Sequence, residues 1–251
     1  MSAASAHALH LSQARYVLVL TGAGVSAESG VPTFRSGGAL WERYPIDKVA
    51  TPRGFAEDPG LVWRFYSDRR RQAARCNPNA GHYALARLED RLGDRFLLVT
   101  QNIDGLHRKA GSQRLIELHG NLFLSRCSRC DREPFPDERS YRGGAVPTCE
   151  LCQEQGEESL LRPHVVWFDE RLDPGQLDQV QHFIDRASLE SWVFVAVGTS
   201  GAVFPAAAMV DVAREAGATT WLINADPAEN LTSFDNYVQG LSGEVLPHLI
   251  G

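Results

Sequence analysis

Short apolar runs alternate along most of the chain with segments that repeat apolar side chains at helical spacing. The apolar runs, which are typical of buried strands, fall at residues 16–20, 96–100, 115–118, 164–168, 192–197 and 220–224. Helical spacing is clearest at residues 80–92, 176–187 and 205–216. Buried strands that alternate with amphipathic helices indicate a mostly parallel sheet with helices on both faces. The predicted fold class is therefore α/β, with a doubly wound, mostly parallel, Rossmann-like sheet.

Two segments interrupt this alternation, and we interpret both as inserts into one core. Residues 36–76 have helical and loop-like patterns without a strand, and residues 123–163 are polar and contain prolines and cysteines. We predict a core of residues 1–122 and 164–251, with a helical and lid insert at about residues 36–76. Residues 123–163 are predicted to form a small module of their own.

Composition narrows the class of protein further. Hydrophobic residues make up 43% of the 251 residues and charged residues 22%, which is ordinary for a globular protein. A net charge of -6 argues against a nonspecific binder of nucleic acid or of anionic membranes. We find neither a signal-peptide pattern nor an apolar run long enough to span a membrane. We therefore predict a cytoplasmic protein without a membrane partner, in a compartment where disulfides are rare.

Four of the five cysteines form two pairs with the spacing of a metal site. Cys127 and Cys130 make one Cys-x-x-Cys pair, and Cys149 and Cys152 make another after 18 intervening residues. The alternatives are a redox pair or buried thiols, but this spacing favours a tetrahedral zinc site. Four protein ligands leave the ion no open coordination position, so the predicted zinc is structural.

The charge of the cysteine-bearing module argues against binding of nucleic acid. Residues 123–163 contain six arginines, no lysines and eight acidic residues, and four thiolates on a zinc ion add negative charge. Surfaces that bind phosphates carry the opposite sign of charge. We therefore predict a zinc-ribbon scaffold rather than a nucleic-acid module.

The first predicted strand leads into a glycine-rich turn that is typical of nucleotide sites. Gly22, Gly24 and Ala27 fit the G-x-G-x-x-G/A pattern, in which backbone amides approach a pyrophosphate at the start of a helix. In a dehydrogenase, a second strand ending in an acidic residue follows about 20 positions later. Here the chain continues into Pro-Thr-Phe-Arg-Ser-Gly-Gly at residues 32–38, where no second strand is predicted.

Polar side chains follow several other predicted strands, at the edge where parallel sheets bind ligands. They are Gln101, Asn102 and Asp104 after one strand, His119 after the next, Thr199 and Ser200 with Gly198 after a third, and Asn224 after a fourth. Each has a simpler explanation, namely a helix N-cap at Asn102 or Asp104, a structural histidine, and ordinary turns. A histidine followed by glycine, as at Gly120, is also accessible enough to act as a general base.

One predicted helix carries an arginine on an otherwise apolar face. Val62, Tyr66, Arg69 and Ala73 are spaced by four, three and four residues, which aligns them along one side of the helix. On spacing alone, the favoured explanation is that Arg69 extends from the edge of the core into solvent, as part of a solvated run at residues 69–71.

Together these motifs closely resemble those of the sirtuins, the NAD-dependent protein lysine deacylases. The shared motifs are Gly22-Ala23-Gly24-Val25-Ser26, Gly30-Val31-Pro32, Phe34-Arg35, residues 101–104, His119-Gly120, both Cys-x-x-Cys pairs and Gly198-Thr199-Ser200. They occur in the family's order, and the match extends from about residue 16 to residue 249. The resemblance implies cleavage of the nicotinamide–ribose bond of NAD and transfer of the acyl group from lysine to ADP-ribose.

The resemblance also implies which residues hold NAD, the co-substrate. The cofactor-binding residues would be Gly22, Ala23, Gly24, Ser26, Phe34, Arg35, Gln101, Asn102, Ile103, Asp104, Gly198, Thr199, Ser200, Asn224 and Ser242. Within this set, Ala23, Phe34, Ile103 and Asp104 would line the nicotinamide pocket, and Asn224 and Ser242 would lie near the adenosine end. Arg35 would orient the phosphates and ribose, and residues 36–39 would form a lid that excludes water.

Three residues acquire catalytic roles from the same resemblance. Asn102 and Asp104 would hold the nicotinamide ribose and the carboxamide in a cleavable arrangement. His119 would accept a proton from a ribose hydroxyl once the acyl oxygen has attacked. Because the acyl oxygen is a weak nucleophile, its positioning would supply much of the rate.

For the acyl group, the resemblance reverses the explanation of Arg69 that spacing alone favours. Tyr66 and Arg69 match the Tyr-x-x-Arg pair of the sirtuin subclass that removes succinyl, malonyl and glutaryl groups. A guanidinium binds a carboxylate through two parallel hydrogen bonds, and the phenol adds a third. Thr33 and Gly37 also fit this subclass. We therefore predict removal of acidic acyl groups from protein lysines, with some deacetylation retained.

The segment that would contact the substrate peptide departs from the family at one position. Val166, Trp167 and Phe168 are retained for contacts to the peptide backbone and the lysine stem, where a peptide would lie as an added strand. The family usually has Phe-Gly-Glu where this chain has Phe168-Asp169-Glu170. An aspartate adopts the backbone angles of glycine only at some cost, so peptide affinity is the property it affects.

Two alternative functions remain open on the sequence. A sirtuin-like ADP-ribosyltransferase or NAD hydrolase would release nicotinamide and pass the ribose to another nucleophile. A nucleotide-gated binding module would bind NAD without turnover. The partners predicted for the deacylase are acyl-lysine proteins or peptides, and the sequence does not predict the oligomeric state.

Overall fold

Two sheets organise the part of the chain that the structure, a computed structural model, describes, namely residues 11–32, 44–141, 143 and 146–250. The strands are β1 (Tyr16–Thr21), β2 (Phe96–Thr100), β3 (Leu115–Glu117), β4 (Gly120–Cys127), β5 (Phe135–Pro136), β6 (Leu161–Val165), β7 (Trp192–Val197), β8 (Thr219–Asn224) and β9 (Asn236–Gln239). The α-helices are α1 (Gly24–Ala27), α2 (Ile46–Val49), α3 (Pro52–Glu57), α4 (Pro59–Ala74), α5 (Ala80–Leu92), α6 (Leu106–Lys109), α7 (Glu150–Glu154), α8 (Pro174–Ala187), α9 (Met209–Glu215) and α10 (Ser242–Ile250). None of these helices combines the length and apolar character that a membrane crossing requires.

The larger sheet is parallel throughout and has the strand order β3-β2-β1-β7-β8-β9. In this order the chain first builds outward from β1 on one side and then returns to build outward from β7 on the other. Sheets of this kind bind ligands in the crevice at the carboxyl ends of the two central strands. The predicted α/β, doubly wound, Rossmann-like fold class is confirmed.

Strand β1 shows why both faces of this sheet are covered. Leu18 packs into one hydrophobic cluster with Phe183 of α8, and Val19 packs into a second cluster with Leu85 of α5. Because successive side chains of a strand point to opposite faces, a strand buried on both faces must be apolar at nearly every position. The continuous apolar runs noted in the sequence are the result.

The second sheet is small and antiparallel, with the order β5-β4-β6. The sequence predicted a strand of the main sheet at residues 164–168, and this prediction is wrong. The strand is β6, which ends at Val165 and belongs to the small sheet. The apolar pattern continues past it because Trp167 is buried in the loop that follows, while Phe168 is half exposed. The module boundaries at residues 123 and 163 stay a prediction.

Residues 44–76 contain helices and no strand, as predicted. Helices α3 and α4 start alike, each with a proline at its first position behind a capping side chain. Thr51 accepts a hydrogen bond from the Gly54 amide, and Asp58 accepts one from the Leu61 amide, which satisfies N–H groups that a helix start leaves unpaired. Helix α4 then packs against the small sheet in a third hydrophobic cluster.

Candidate active site

A cleft of about 1460 Å³ opens between the carboxyl ends of the main sheet and the loop that follows β6. It is lined by every cofactor-binding, catalytic and substrate-binding residue predicted from the sequence, apart from Phe34 and Arg35. Those two residues lie outside the described part of the chain, as do Thr33 and the predicted lid at residues 36–39. The geometry thus brings the predicted residues into one site, and their individual roles stay predictions.

The glycine turn after β1 is packed tightly against the loop after β7. The amides of Gly22 and Gly24 donate to the carbonyls of Val197 and Gly198, at 3.0 and 2.7 Å. A Cβ on Gly24 would lie 2.7 Å from the Gly198 Cα atom, so these glycines are required for the approach of the two loops. Of the turn amides, Ala23 has no hydrogen-bond partner among the described residues. The expectation that backbone amides of this turn approach a pyrophosphate stays a prediction, and the Ala23 amide is available for such a contact.

The loop after β7 is also held from both sides. The Gln101 side chain donates to Thr199 Oγ1 at 3.2 Å, and the Asn224 side chain donates to the Thr199 carbonyl at 3.0 Å. At the far end of the cleft, Ser242 Oγ donates to Glu28 Oε2 at 3.0 Å at the start of α10. The ends of β2, β7 and β8 are thus tied to one another at the cleft, and the start of α10 is tied to the end of α1.

Asn102 and Asp104 share one hydroxyl group. Ser26 Oγ donates to Asp104 Oδ2 at 2.7 Å and accepts from Asn102 Nδ2 at 3.2 Å. The other oxygen of Asp104 accepts the Leu106 amide at 2.9 Å. The N-cap residue of α6 is Gly105, so the expectation of an N-cap at Asn102 or Asp104 is wrong. Burial raises the pKa of Asp104, and the hydrogen bonds from the Leu106 amide and Ser26 oppose the rise.

His82, which the sequence did not indicate as a site residue, contacts the Ser26 hydroxyl that Asn102 and Asp104 share. The Asn79 amide donates to His82 Nδ1 at 3.3 Å, within a capping box at the start of α5. The remaining proton of the neutral ring is then on Nε2, which lies 3.4 Å from Ser26 Oγ. Burial lowers the pKa of His82 to about 4, so the ring is neutral at pH 7. The Asn-x-x-His spacing of a capping box was the available signal.

His119 lines the cleft, and one of its two ring nitrogens is hydrogen-bonded to a backbone carbonyl. Its Nδ1 is 2.9 Å from the Gln101 carbonyl, and because a carbonyl only accepts, Nδ1 carries the proton and Nε2 has the lone pair. Burial lowers the pKa of His119, and the Gln101 carbonyl opposes this shift. Gly120 follows with a φ of 79°, and a Cβ there would clash with the His164 carbonyl. The glycine therefore allows His119 to stand beside β6.

Helix α4 brings Tyr66 and Arg69 to the same cleft. The indole Nε1 of Trp167 donates to Tyr66 Oη at 2.9 Å. Burial raises the pKa of Tyr66 to about 12, so the phenol keeps its proton. Arg70 and Arg71 are each paired with an aspartate, whereas none of the ion pairs between described residues involves Arg69. The solvated-run explanation fails for Arg70, which is 2% exposed.

Three backbone amides of the loop after β6 hold it to neighbouring segments and to a glutamate side chain. The Val166 amide donates to the His119 carbonyl at 2.9 Å, and the Phe168 amide donates to the Ala50 carbonyl at 3.0 Å. The Trp167 amide donates to Glu170 Oε2 at 2.8 Å. Asp169 has a φ of 69° and is the non-glycine residue with positive φ among the described residues.

Asp169→Gly is expected to stabilise the protein by about 1 kcal/mol, because the left-handed region strains a residue with a Cβ by roughly that amount. The free energy of unfolding in urea measures it. Asp169→Asn is the matched control, since it removes the charge and keeps the Cβ. If Asp169→Gly has no higher free energy of unfolding than Asp169→Asn, the backbone at this position is not strained.

The four cysteines of the small module converge on one point. Sulfurs arranged tetrahedrally at a Zn–S distance of about 2.3 Å lie about 3.8 Å apart. The Sγ atoms of Cys127 and Cys152 are 3.8 Å apart, as are those of Cys130 and Cys149, and all four lie within 4.8 Å of one another. The donor set and spacing therefore fit a structural zinc ion, as predicted.

Comparisons with known proteins agree with this geometry. The Sir2 family model matches residues 22–205. The chain is 45% identical over 240 residues to NAD-dependent protein deacylase 2 of Pyrobaculum aerophilum, a match that covers 96% of this chain and 92% of that protein. The crystal structure of a Sir2 homologue with NAD superposes with a TM-score of 0.86 at 38% identity, covering 100% of this chain and 93% of that one. A Sir2 complex with a deacetylated p53 peptide and 3'-O-acetyl ADP-ribose has a TM-score of 0.80 at 29% identity, over 96% and 94% of the chains.

Proposed function

Because the chain belongs to the Sir2 family, we propose that it removes acidic acyl groups of the succinyl and malonyl type from protein lysines, with NAD as co-substrate. The general activity is NAD-dependent protein lysine deacylation, as in its relatives. The acyl preference rests on this chain's own residues in the cleft. The cytoplasmic location and the absence of nucleic-acid and membrane partners stay predictions from the sequence.

The preference for acidic acyl groups is supported by two neighbouring side chains in the cleft. They are the guanidinium of Arg69 and the phenol of Tyr66, whose O–H can donate a hydrogen bond. Arg69 takes part in none of the ion pairs between described residues, although it lines the cleft. Tyr66 accepts the indole N–H of Trp167, so its own O–H remains available as a donor. One guanidinium and one phenol can together give an acyl carboxylate three hydrogen bonds.

The rest of the cleft supports NAD as the second substrate. The Ala23 amide and the loop of Gly198, Thr199 and Ser200 would receive the pyrophosphate, and Asn224 and Ser242, which line the same cleft, would receive the adenosine. Asn102 and Asp104, joined through Ser26, would hold the nicotinamide half. His119 would take the ribose hydroxyl proton on Nε2, the nitrogen that its contact to Gln101 leaves unprotonated.

The test compares succinyl-lysine and acetyl-lysine in one peptide sequence, with deacylated peptide and nicotinamide measured by mass spectrometry. We expect the wild-type enzyme to favour the succinyl peptide. In Arg69→Met the kcat/KM for that peptide should fall by about 10–100-fold, the equivalent of losing hydrogen bonds to a charged group worth roughly 1.5–3 kcal/mol. Deacetylation should stay close to the wild-type rate, because an acetyl group has no carboxylate.

Arg71→Met is the matched control, since Arg71 lies two residues further along α4, is half exposed and pairs with Asp68. It should leave both activities unchanged. Equal use of both peptides, with no change of ratio in Arg69→Met, would contradict the acidic-acyl assignment. Nicotinamide release without any deacylated peptide would instead favour an ADP-ribosyltransferase or NAD hydrolase.

A further inference from the structure

Arg69 and Arg70 are adjacent in sequence but lie on different faces of α4. Successive residues of a helix are rotated by about 100°, and here that rotation sends one side chain into the cleft and the other into the protein. Arg69 lines the cleft, whereas Arg70 is 2% exposed and faces the small sheet. Any contact that fixes Arg70 therefore also fixes the backbone from which Arg69 extends.

Arg70 has an acceptor for each of its N–H groups. A guanidinium has five such donors in a rigid fork. Its contacts are Nε to the Leu122 carbonyl, Nη1 to Asp137 Oδ2 at 3.3 Å and the Arg139 carbonyl at 3.1 Å, and Nη2 to the Leu124 carbonyl and Ser125 Oγ, each at 3.1 Å. All five acceptors lie between residues 122 and 139, on β4 or in the small module that follows it.

The carboxylate that balances Arg70 is itself fully engaged. Asp137 is 3% exposed and accepts from Ser125 Oγ at 2.6 Å, from Arg139 Nε at 2.9 Å and from Tyr141 Oη at 3.1 Å. A buried ion pair whose partners are otherwise satisfied has one favourable geometry. The pair of Arg70 and Asp137 therefore behaves as a rigid joint.

The joint connects α4 to the strand that carries a zinc ligand. Strand β4 starts next to His119 and ends at Cys127. Two further contacts run alongside, from Trp63 Nε1 to the Leu161 carbonyl at 2.9 Å and from the Tyr141 amide to Ser67 Oγ at 2.8 Å. Helix α4 and the zinc-bearing sheet are thus held as one body in the described structure.

We propose that Arg70, through Asp137 and Ser125, is a positioning residue that sets the acyl selectivity of the enzyme by holding Arg69 in register with the cleft. This inference rests on the proposed function of Arg69. Recognition of a carboxylate by a guanidinium requires placement within about 0.5 Å. An acetyl group makes no such contact, so a shift of α4 affects acidic acyl groups selectively.

The experiment measures kcat/KM for succinyl and acetyl peptides in Arg70→Lys and in the milder Ser125→Ala, with KM for NAD and zinc content recorded for each. Lysine keeps the charge but has three donors instead of a five-donor fork. We expect the ratio of succinyl to acetyl activity to fall on the order of tenfold in Arg70→Lys, and by less in Ser125→Ala, since small displacements at a reacting site have effects of this size. Arg71→Lys, on the exposed face, is the matched control and should leave the ratio unchanged.

Equal losses of both activities would overturn the inference, because they would give Arg70 a structural role only. An unchanged ratio in both variants would also overturn it. If Arg70→Lys does not fold, the ratio in Ser125→Ala decides alone. If Arg69→Met has the same ratio of succinyl to acetyl activity as the wild type, the proposed function is wrong. This inference, which rests on it, then fails as well.

Discussion

His119→Ala is expected to lower kcat for deacylation by about 10²–10⁴-fold, the usual contribution of a positioned general base. The reason is that Nε2 of His119 carries the lone pair that accepts the proton. Nδ1 is held by the Gln101 carbonyl at 2.9 Å, so the lone pair is on Nε2, and the alanine variant has no replacement for it. The measurement is kcat with saturating NAD and succinyl peptide.

The pH profile checks the same histidine independently. A general base works only when deprotonated, so activity is present above the pKa of His119 and is lost as the pH falls through it. Burial lowers that pKa below 6.5. We therefore expect the acid limb of kcat/KM to have its midpoint below pH 6.5 and to be absent from the residual activity of His119→Ala.

His248→Ala is the control for loss of a histidine as such, because His248 is exposed on α10 and should affect neither kcat nor the acid limb. Binding of NAD to His119→Ala should be retained, since proton transfer follows binding. Wild-type kcat in the alanine variant, with the acid limb unmoved, would contradict the assignment of the base.

Cys149→Ser is expected to release the zinc ion and to abolish deacylation of both peptides. Cys149 is fully buried, and structural zinc contributes on the order of 10 kcal/mol to the folding of small zinc modules. Three of the zinc-site sulfurs are buried in the same hydrophobic cluster as Trp63 and Leu161. Loss of the ion should therefore loosen α4 as well as the module.

Zinc content, thermal unfolding and activity are measured on Cys149→Ser and on Cys76→Ser. Cys76 is the cysteine outside the cluster and is also buried, so it controls for loss of a buried thiol. Its variant should keep one zinc ion and lose about 1 kcal/mol of stability, as typical single substitutions do. A Cys149→Ser protein with full zinc content and activity would show that the four cysteines do not form the site.

Periodicity predicted the main sheet well, because its strands are apolar on both faces. Helix α5 matches the predicted residues 80–92, where an N-cap asparagine and a C-terminal glycine mark both ends. The small sheet was not predicted, because β4 and β6 are half-covered strands whose partners depend on the zinc site and on α4. Strand β9, Asn236–Gln239, was also not predicted, since its short polar sequence has no apolar run.

The sequence predicted those residues of the candidate site that belong to recognisable motifs, but not the hydrogen bonds between them. Tyr66, Arg69 and His119 were identified, but the hydrogen bonds that define their proton positions come from Trp167 and Gln101 and cannot be read from spacing. His82 and Arg70 were not singled out, because their hydrogen-bond partners Ser26 and Asp137 are distant in sequence. Such contacts become visible only when the fold brings the segments together.

The hydrogen bond between Trp167 and Tyr66 can form only after most of the chain has been synthesised. It joins residues 101 positions apart, and at synthesis rates of about 5–20 residues per second the phenol is made roughly 5–20 s before its indole partner. During that interval Tyr66 is present without the indole N–H that it accepts in the folded protein. The contact therefore forms late in translation, and a chain cut between the two residues would carry its donor and its acceptor on separate fragments.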